Sequence, residues 1–320
     1  MPTLLVALIV VVGALDIFIL CLPWLLKKRG VWLWWRTKFG PALVFDSQDD
    51  DGRTVRLLNV RGKYQSVGYV DPELRWELAC IYHKYFAEIV DIVNLTRDSC
   101  ITESKDQAEN DADRQSLLNS GHCSSPYLNQ VSPSDYSCQI SSALKPTAVV
   151  IGGGGYSFPK WLVAHCPCLH TVVVEIDPAI TKIAREHFFL NELLEEFPNN
   201  APELIYDDGW TWLRSCNRSF DLIVNDAFSG KHPLGPLGTA EGAQLIHQHL
   251  RSQGIYLANV IAPLEGKGSR HLRDTCQTFC AEFKYVWLIP EDEEDPTIVA
   301  DNCLVASDHP WPISHRYRLS

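Results

Sequence analysis

The chain has 320 residues, of which 46% are apolar, and a formal charge of −11 at pH 7. That size allows one sizeable domain with additions, while the acidic balance, with no basic face in the sequence, argues against a nucleic-acid partner. Eleven cysteines with no CxxC pair and no regular spacing point to reduced thiols rather than a disulfide framework, and no metal is expected.

Thr3 to Leu26 is an almost unbroken apolar run, interrupted by Gly13, Asp16 and Pro23. It matches the roughly 20 residues that cross a bilayer. Lys27, Lys28 and Arg29 follow it and no basic residue precedes it, so the positive-inside rule places the rest of the chain in the cytoplasm. Residues 1–30 are therefore expected to be a single-pass transmembrane anchor, with Trp24, Trp32, Trp34 and Trp35 at the interface. A cleaved signal peptide is the alternative, although the run has neither a basic start nor a small-residue cleavage site.

Residues 36–95 read as a small N-terminal β-domain plus a helix. The runs ALVFDS, RTVRLLNV and RGKYQS are separated by turn residues, and Asp51-Gly52 between two of them is a hairpin signal. Pro72 to Val93 then carries Leu74, Leu78, Ile81, Tyr82, Tyr85, Phe86, Ile89 and Val93 at helical spacing, an aromatic stripe that reads as core. Residues 96–143 turn to Ser, Asp, Asn and Gln; such a stretch buries too little apolar surface to offset its ordering entropy, so it reads as a disordered insertion.

Residues 144–320 alternate strand and helix. TAVVIGGGGYSF (Thr147 to Phe158) is a buried strand, a glycine turn and a helix start, and TVVVEID (Thr171 to Asp177) is a second strand ending on acid. ELIYDDGW, FDLIVNDAF and IYLANVI give three more strands. The helix over Ser269 to Phe283 carries Cys276 and Cys280 on its apolar stripe, and KYVWLIP and NCLVASD supply a terminal pair. Successive βα units predict an α/β fold, a seven-stranded Rossmann-like parallel sheet with helices on both faces and an antiparallel hairpin at one edge.

Open α/β sheets bind ligands beyond the carboxyl ends of their strands, and the polar residues fall there. The first strand delivers Gly152, Gly153, Gly154 and Gly155, whose backbone can turn sharply and approach a ligand. Glu175, ending the second strand, can accept hydrogen bonds from two ribose hydroxyls. Asp208-Gly209 follows the third and can accept from an adenine amino group, with Ile176 or Trp210 flanking the ring. Asp226 ends the fourth, facing the reacting end of the ligand. A tight turn with a solvated acid, a type I turn acid for Asp208 and a helix or turn cap for Asp226 are the structural alternatives.

VVIGGGGYSFP, VVVEIDP, YDDGWTWL and FDLIVNDAF, with LLNVRGKYQS upstream, resemble the spermidine synthase (aminopropyltransferase) family over about Pro41 to Pro310, apart from the insertion. That resemblance implies a small β-domain joined to the seven-stranded class I methyltransferase fold and a donor that is decarboxylated S-adenosylmethionine or S-adenosylmethionine. It places Glu175 on the ribose, Asp208 on the adenine, and Asp226 where the family keeps its catalytic carboxylate. Gln65 stands at the amine-site glutamine, with Tyr156 and Ser229 also at the acceptor. A homodimer is implied as possible. Three departures stand out: the glycine loop lacks the family's aspartate, the run after Asp226 (Ala227, Phe228, Ser229) lacks its second acid, and no counterpart of its tyrosine-histidine-glutamate run is read after Gln65. The sequence thus predicts a membrane-anchored transferase acting on a small amine or other small acceptor. Alternatives are a methyltransferase for a small acceptor, a non-catalytic nucleotide-binding membrane module, and, more weakly, an NAD-dependent enzyme.

Overall fold

The computed structural model describes residues 21–93, 95, 145–227 and 234–320, which fall into two compact units. The expected insertion over 96–143, residues 1–20 of the expected anchor, and Ser229 lie outside the described residues. In chain order the strands are β1 (Val31–Thr37), β2 (Gly40–Gln48), β3 (Thr54–Val60), β4 (Lys63–Tyr69), β5 (Thr147–Ile151), β6 (His170–Val174), β7 (Glu203–Ile205), β8 (Phe220–Asn225), β9 (Leu250–Ala262), β10 (Tyr285–Ile289) and β11 (Ala300–Ser307). The helices are α1 (Ile81–Ile92), α2 (Ser157–His165), α3 (Pro178–His187), α4 (Leu190–Glu196), α5 (Gly209–Ser215), α6 (Ala240–His249) and α7 (Arg270–Glu282).

The membrane placement is corrected. Among the described residues no helix is long and apolar enough to cross a membrane; residues 21–27, the described end of the apolar run, are helical, and β1 follows. Trp32 and Trp34, expected at a bilayer interface, lie on β1 and pack on protein. Their rings lie 5.0 and 6.3 Å from that of His187, and the Arg56 guanidinium and Lys182 ammonium sit 4.9 and 5.3 Å from Trp32 and Trp34 respectively. Cation–π contact gives those indoles a use inside the folded unit.

The smaller unit gathers residues up to Ala79 with 154–157 and 177–192. Its sheet is an antiparallel meander in the order β1-β2-β3-β4. Alternation turns Ala42 and Val44 of β2 and Leu58 and Val60 of β3 inward, as period-two patterning requires. The turn at Asp51-Gly52 closes the β2–β3 hairpin, with Gly52 at φ +76° and Asp49 accepting from the Asp51 and Arg53 N–H groups. Asp177 caps α3, accepting from Ala179, and Pro178 opens it, the N-terminal chemistry its sequence predicts.

The larger unit, residues 80–153, 158–176 and 193–320, holds a seven-stranded mixed sheet in the order β10-β11-β9-β8-β5-β6-β7. Strands β5 to β9 pair in parallel, and β11 runs antiparallel between β9 and β10. TAVVI and HTVVV are buried at every position but the first, which is why they read as continuous apolar runs. The core gathers Val149, Val172, Phe220, Tyr256, Phe279 and Leu304, with the Tyr256 and Phe279 rings stacked 5.1 Å apart. Cys276 lines this core, its thiol pushed up to about 12 by burial.

Local boundaries differ from the sequence reading for identifiable reasons. The helix expected from Pro72 begins at Ile81, because Asp71 caps only a short 3-10 turn over Pro72–Leu74. The helix expected to run to Leu250 stops at His249, and Leu250 already pairs with Phe220 at the start of β9. One cysteine departs from the expected reduced set: Cys168 is disulfide-bonded.

Candidate active site at the strand ends

Backbone bonds carry the parallel ladder one residue past the strands. Gly152 N–H donates to the Val174 carbonyl, Asp226 N–H to Ile151 and Glu175 N–H to Ile205, each at 2.9 Å. Gly152, Glu175 and Asp226 are thereby aligned along the carboxyl edge of β5, β6 and β8. Gly152 sits at φ +98°, and a Cβ there would lie 2.8 Å from the Asp226 carbonyl oxygen; only glycine allows both. Gly153 N–H then donates to Glu175 Oε2 at 2.8 Å, so the loop orients a carboxylate that is itself only 6% exposed. Ile176 follows, half-buried.

Asp208 is the N-cap of α5: its Oδ1 accepts from the Thr211 N–H and hydroxyl, both at 3.0 Å. Gly209 opens that helix against β5, since a Cβ there would meet Ile151 Cγ2 at 2.3 Å. The close approach brings Asp208-Gly209 beside the strand that feeds the glycine turn. Trp210 packs against the core, with the Arg214 guanidinium 5.5 Å from its ring.

Gly154, Gly155 and Tyr156 belong to the smaller unit with Gln65. A Cβ on Gly154 (φ +51°) would lie 3.0 Å from the Gln65 carbonyl, and one on Gly155 would lie 2.6 Å from Ser66 Oγ. Gln65 is half-buried on β4 and its Nε2 reaches the Tyr64 carbonyl at 3.4 Å. Tyr156, expected to shape an acceptor pocket, is corrected: it has no exposed surface, and its hydroxyl hydrogen-bonds Thr181 Oγ1 at 2.7 Å. Its left-handed φ of 58° and full burial give it a packing role.

Asp226 has partners that the sequence reading missed. His83 Nε2 lies 2.8 Å from Asp226 Oδ2, and the Tyr82 hydroxyl donates to the same oxygen at 3.4 Å. Both come from α1, whose aromatic stripe reads as core in the sequence. Tyr82 and His83 are consecutive and are followed by Lys84. The available signal was a histidine next to tyrosine on an otherwise apolar helix face. Burial, reinforced by the Asp226 charge, holds the Tyr82 phenol well above its ordinary range, so it stays a donor. Further along the edge, Asn259 donates to Asp301 at 2.8 Å and the Asp301 N–H donates to Glu291 at 2.8 Å. Burial raises both of these acids.

An anionic edge of this kind can accept hydrogen bonds from hydroxyls and amines and can receive a proton at Asp226. The strand order, with one antiparallel strand inserted next to the edge, is that of the class I methyltransferase-like α/β fold. Residues 139–295 match the spermine/spermidine synthase domain, so this stretch is similar to that family.

Among curated relatives, the polyamine aminopropyltransferase of Vibrio vulnificus (strain CMCP6) is 28% identical over 160 residues, 49% of this chain and 50% of that protein. The matched stretch thus spans about half of that relative's length. Among solved structures, a probable spermidine synthase from Corynebacterium glutamicum ATCC 13032 superposes with TM-score 0.55 at 16% identity, covering 87% of this chain and 80% of that one. A spermidine synthase in complex with the transition-state analogue AdoDATO gives TM-score 0.50 at 14% identity, covering 84% and 73%. These two likenesses establish the fold.

Proposed function

We propose that the chain is a transferase that moves an aminopropyl group from decarboxylated S-adenosylmethionine to a small amine. Glu175 accepts from the ribose hydroxyls, Asp208 from the adenine amino group, and the Gly152 to Gly155 turn lets the backbone lie against the nucleoside. Ile176 or Trp210 flanks the base, and Gly209 adjoins Asp208 at the adenine. Gln65 and Ser229 remain the proposed acceptor contacts. The reaction is an in-line displacement: a C–N bond forms as the C–S bond breaks, the electron pair of that bond goes to sulfur, and the amine's proton passes to Asp226.

The observation that carries this reading is the anchored Asp226 carboxylate, at the edge that also holds Glu175 and the glycine turn. Among the described residues, the charged side chains named on the rim are the carboxylates of Glu175, Asp208 and Asp226. That favours the decarboxylated donor, since the amino-acid carboxylate of S-adenosylmethionine needs donors of its own. The names of the curated relatives point the same way.

Titration calorimetry against decarboxylated S-adenosylmethionine, S-adenosylmethionine and methylthioadenosine, followed by product analysis with putrescine, tests it. Tighter binding of the decarboxylated donor together with aminopropyl product is expected. Preference for S-adenosylmethionine with methylated product, or no adenosyl binding at all, would overturn it.

A further inference from the structure

We infer that His83 is a positioning residue for Asp226, a donor that fixes which carboxylate oxygen faces the incoming amine; this rests on Asp226 as the proton acceptor. His83 is 3% exposed, and its ring stacks on Phe158 at 5.6 Å and 18°. Tyr82 and Phe86 lie against it at 4.2 and 6.1 Å, so the imidazole is clamped by aromatic faces. Within that clamp Nε2 points at Asp226 Oδ2, 2.8 Å away.

The protonated nitrogen follows from hydrogen-bond accounting. A carboxylate only accepts, so the hydrogen shared with Asp226 sits on Nε2. Among the described residues Nδ1 is buried and meets no partner. A buried N–H without an acceptor is rarer in folded proteins than an acceptor left unfilled, so Nδ1 carries the lone pair. A histidine kept only for packing would be expected to satisfy both nitrogens or to expose one. Here a single bond, to Asp226, sets the ring's orientation.

Two donors, His83 and Tyr82, converge on Oδ2. No described side chain donates to Oδ1. The carboxylate is therefore held by one oxygen and presents the other, an arrangement suited to a proton acceptor that has to be aligned before the substrate arrives. Tyr82 alone, at 3.4 Å, is too distant to hold that orientation firmly.

The test uses the full chain and the variants His83→Phe and His83→Gln. Phenylalanine keeps the ring stack and removes the donor; glutamine restores a donor of similar reach. We expect His83→Phe to lose roughly ten- to a hundredfold in kcat, the size of one hydrogen bond to a charged group, with the donor KM nearly unchanged and His83→Gln recovering most of the loss. Long-range 1H–15N spectra of the imidazole, which need no activity, should show one tautomer protonated at Nε2 whose shifts change in Asp226→Asn. Wild-type kcat in His83→Phe, or a hydrogen on Nδ1, would overturn the inference. Absence of aminopropyl transfer by the wild type would instead overturn the proposed reaction, and the spectra would still decide the role of His83.

Discussion

The glycine-loop side of the rim and the Asp226 side are built by opposite routes. Gly152, Gly153 and Glu175 come from one β-loop-α-β stretch, and a hydrogen bond spanning 22 residues joins Gly153 to Glu175. Asp226 is completed by His83 and Tyr82, 143 and 144 residues away in sequence. The first side is a local motif whose geometry follows from strand pairing and a turn. The second exists only because α1 packs into the larger unit. The side proposed to hold the nucleoside can thus be encoded in one run, whereas the carboxylate proposed to react depends on distant packing.

The largest expected effect breaks the Asp226 side alone. Asp226→Asn should lower turnover by about 10²- to 10⁴-fold, the usual worth of a general base, and leave methylthioadenosine affinity within about twofold. Parallel kinetics and calorimetry check this, and equal losses in both would erase the distinction between the two sides. Glu175→Ala should do the converse, weakening methylthioadenosine by roughly ten- to a hundredfold. Gly152→Ala probes the place where the two sides meet: with φ at +98° and the Asp226 carbonyl 2.8 Å from the new Cβ, stability should fall by about 1–3 kcal/mol, read as a lower denaturation midpoint.

Two smaller effects contrast the units through pH. Burial, then the Arg56 charge, lowers His187 in the smaller unit to about 4 from an ordinary 6.5. Because the unfolded chain binds that proton more readily, the contribution is fully present above pH 6.5 and is lost as pH falls toward 4. His187→Phe, which keeps a ring against Trp32, should flatten the decline of the thermal midpoint over that window. Asp301 in the larger unit behaves oppositely. Burial raises its carboxyl above the ordinary 3.8, so the folded state keeps the proton longer and stability falls as pH rises through that value. Asp301→Asn should raise the midpoint at pH 7, with the gain fading toward pH 3.8.

The fold was legible where period and chemistry agree. The runs TAVVI and HTVVV announced buried parallel strands, Asp51-Gly52 announced a hairpin, and Asp177-Pro178 announced a capped helix start, because each signal is written in consecutive residues. Residues 24–35 misled, since tryptophans beside an apolar run fit a bilayer interface as well as they fit a sheet packed on cations. Lys182 and Arg56, which distinguish the two, come from other elements. Tyr156 likewise read as an available side chain until its partner Thr181 was in place.

What the sequence determined by itself was the set of strand ends and the residues standing on them: the glycine turn, Glu175, Asp208-Gly209 and Asp226. Strand pairing is a periodic backbone property, and its terminators are written beside it. What only the tertiary structure decided was the company those residues keep, above all the His83 and Tyr82 donors on Asp226. Contacts across 140 residues depend on how a helix packs, and spacing along the chain carries no record of that.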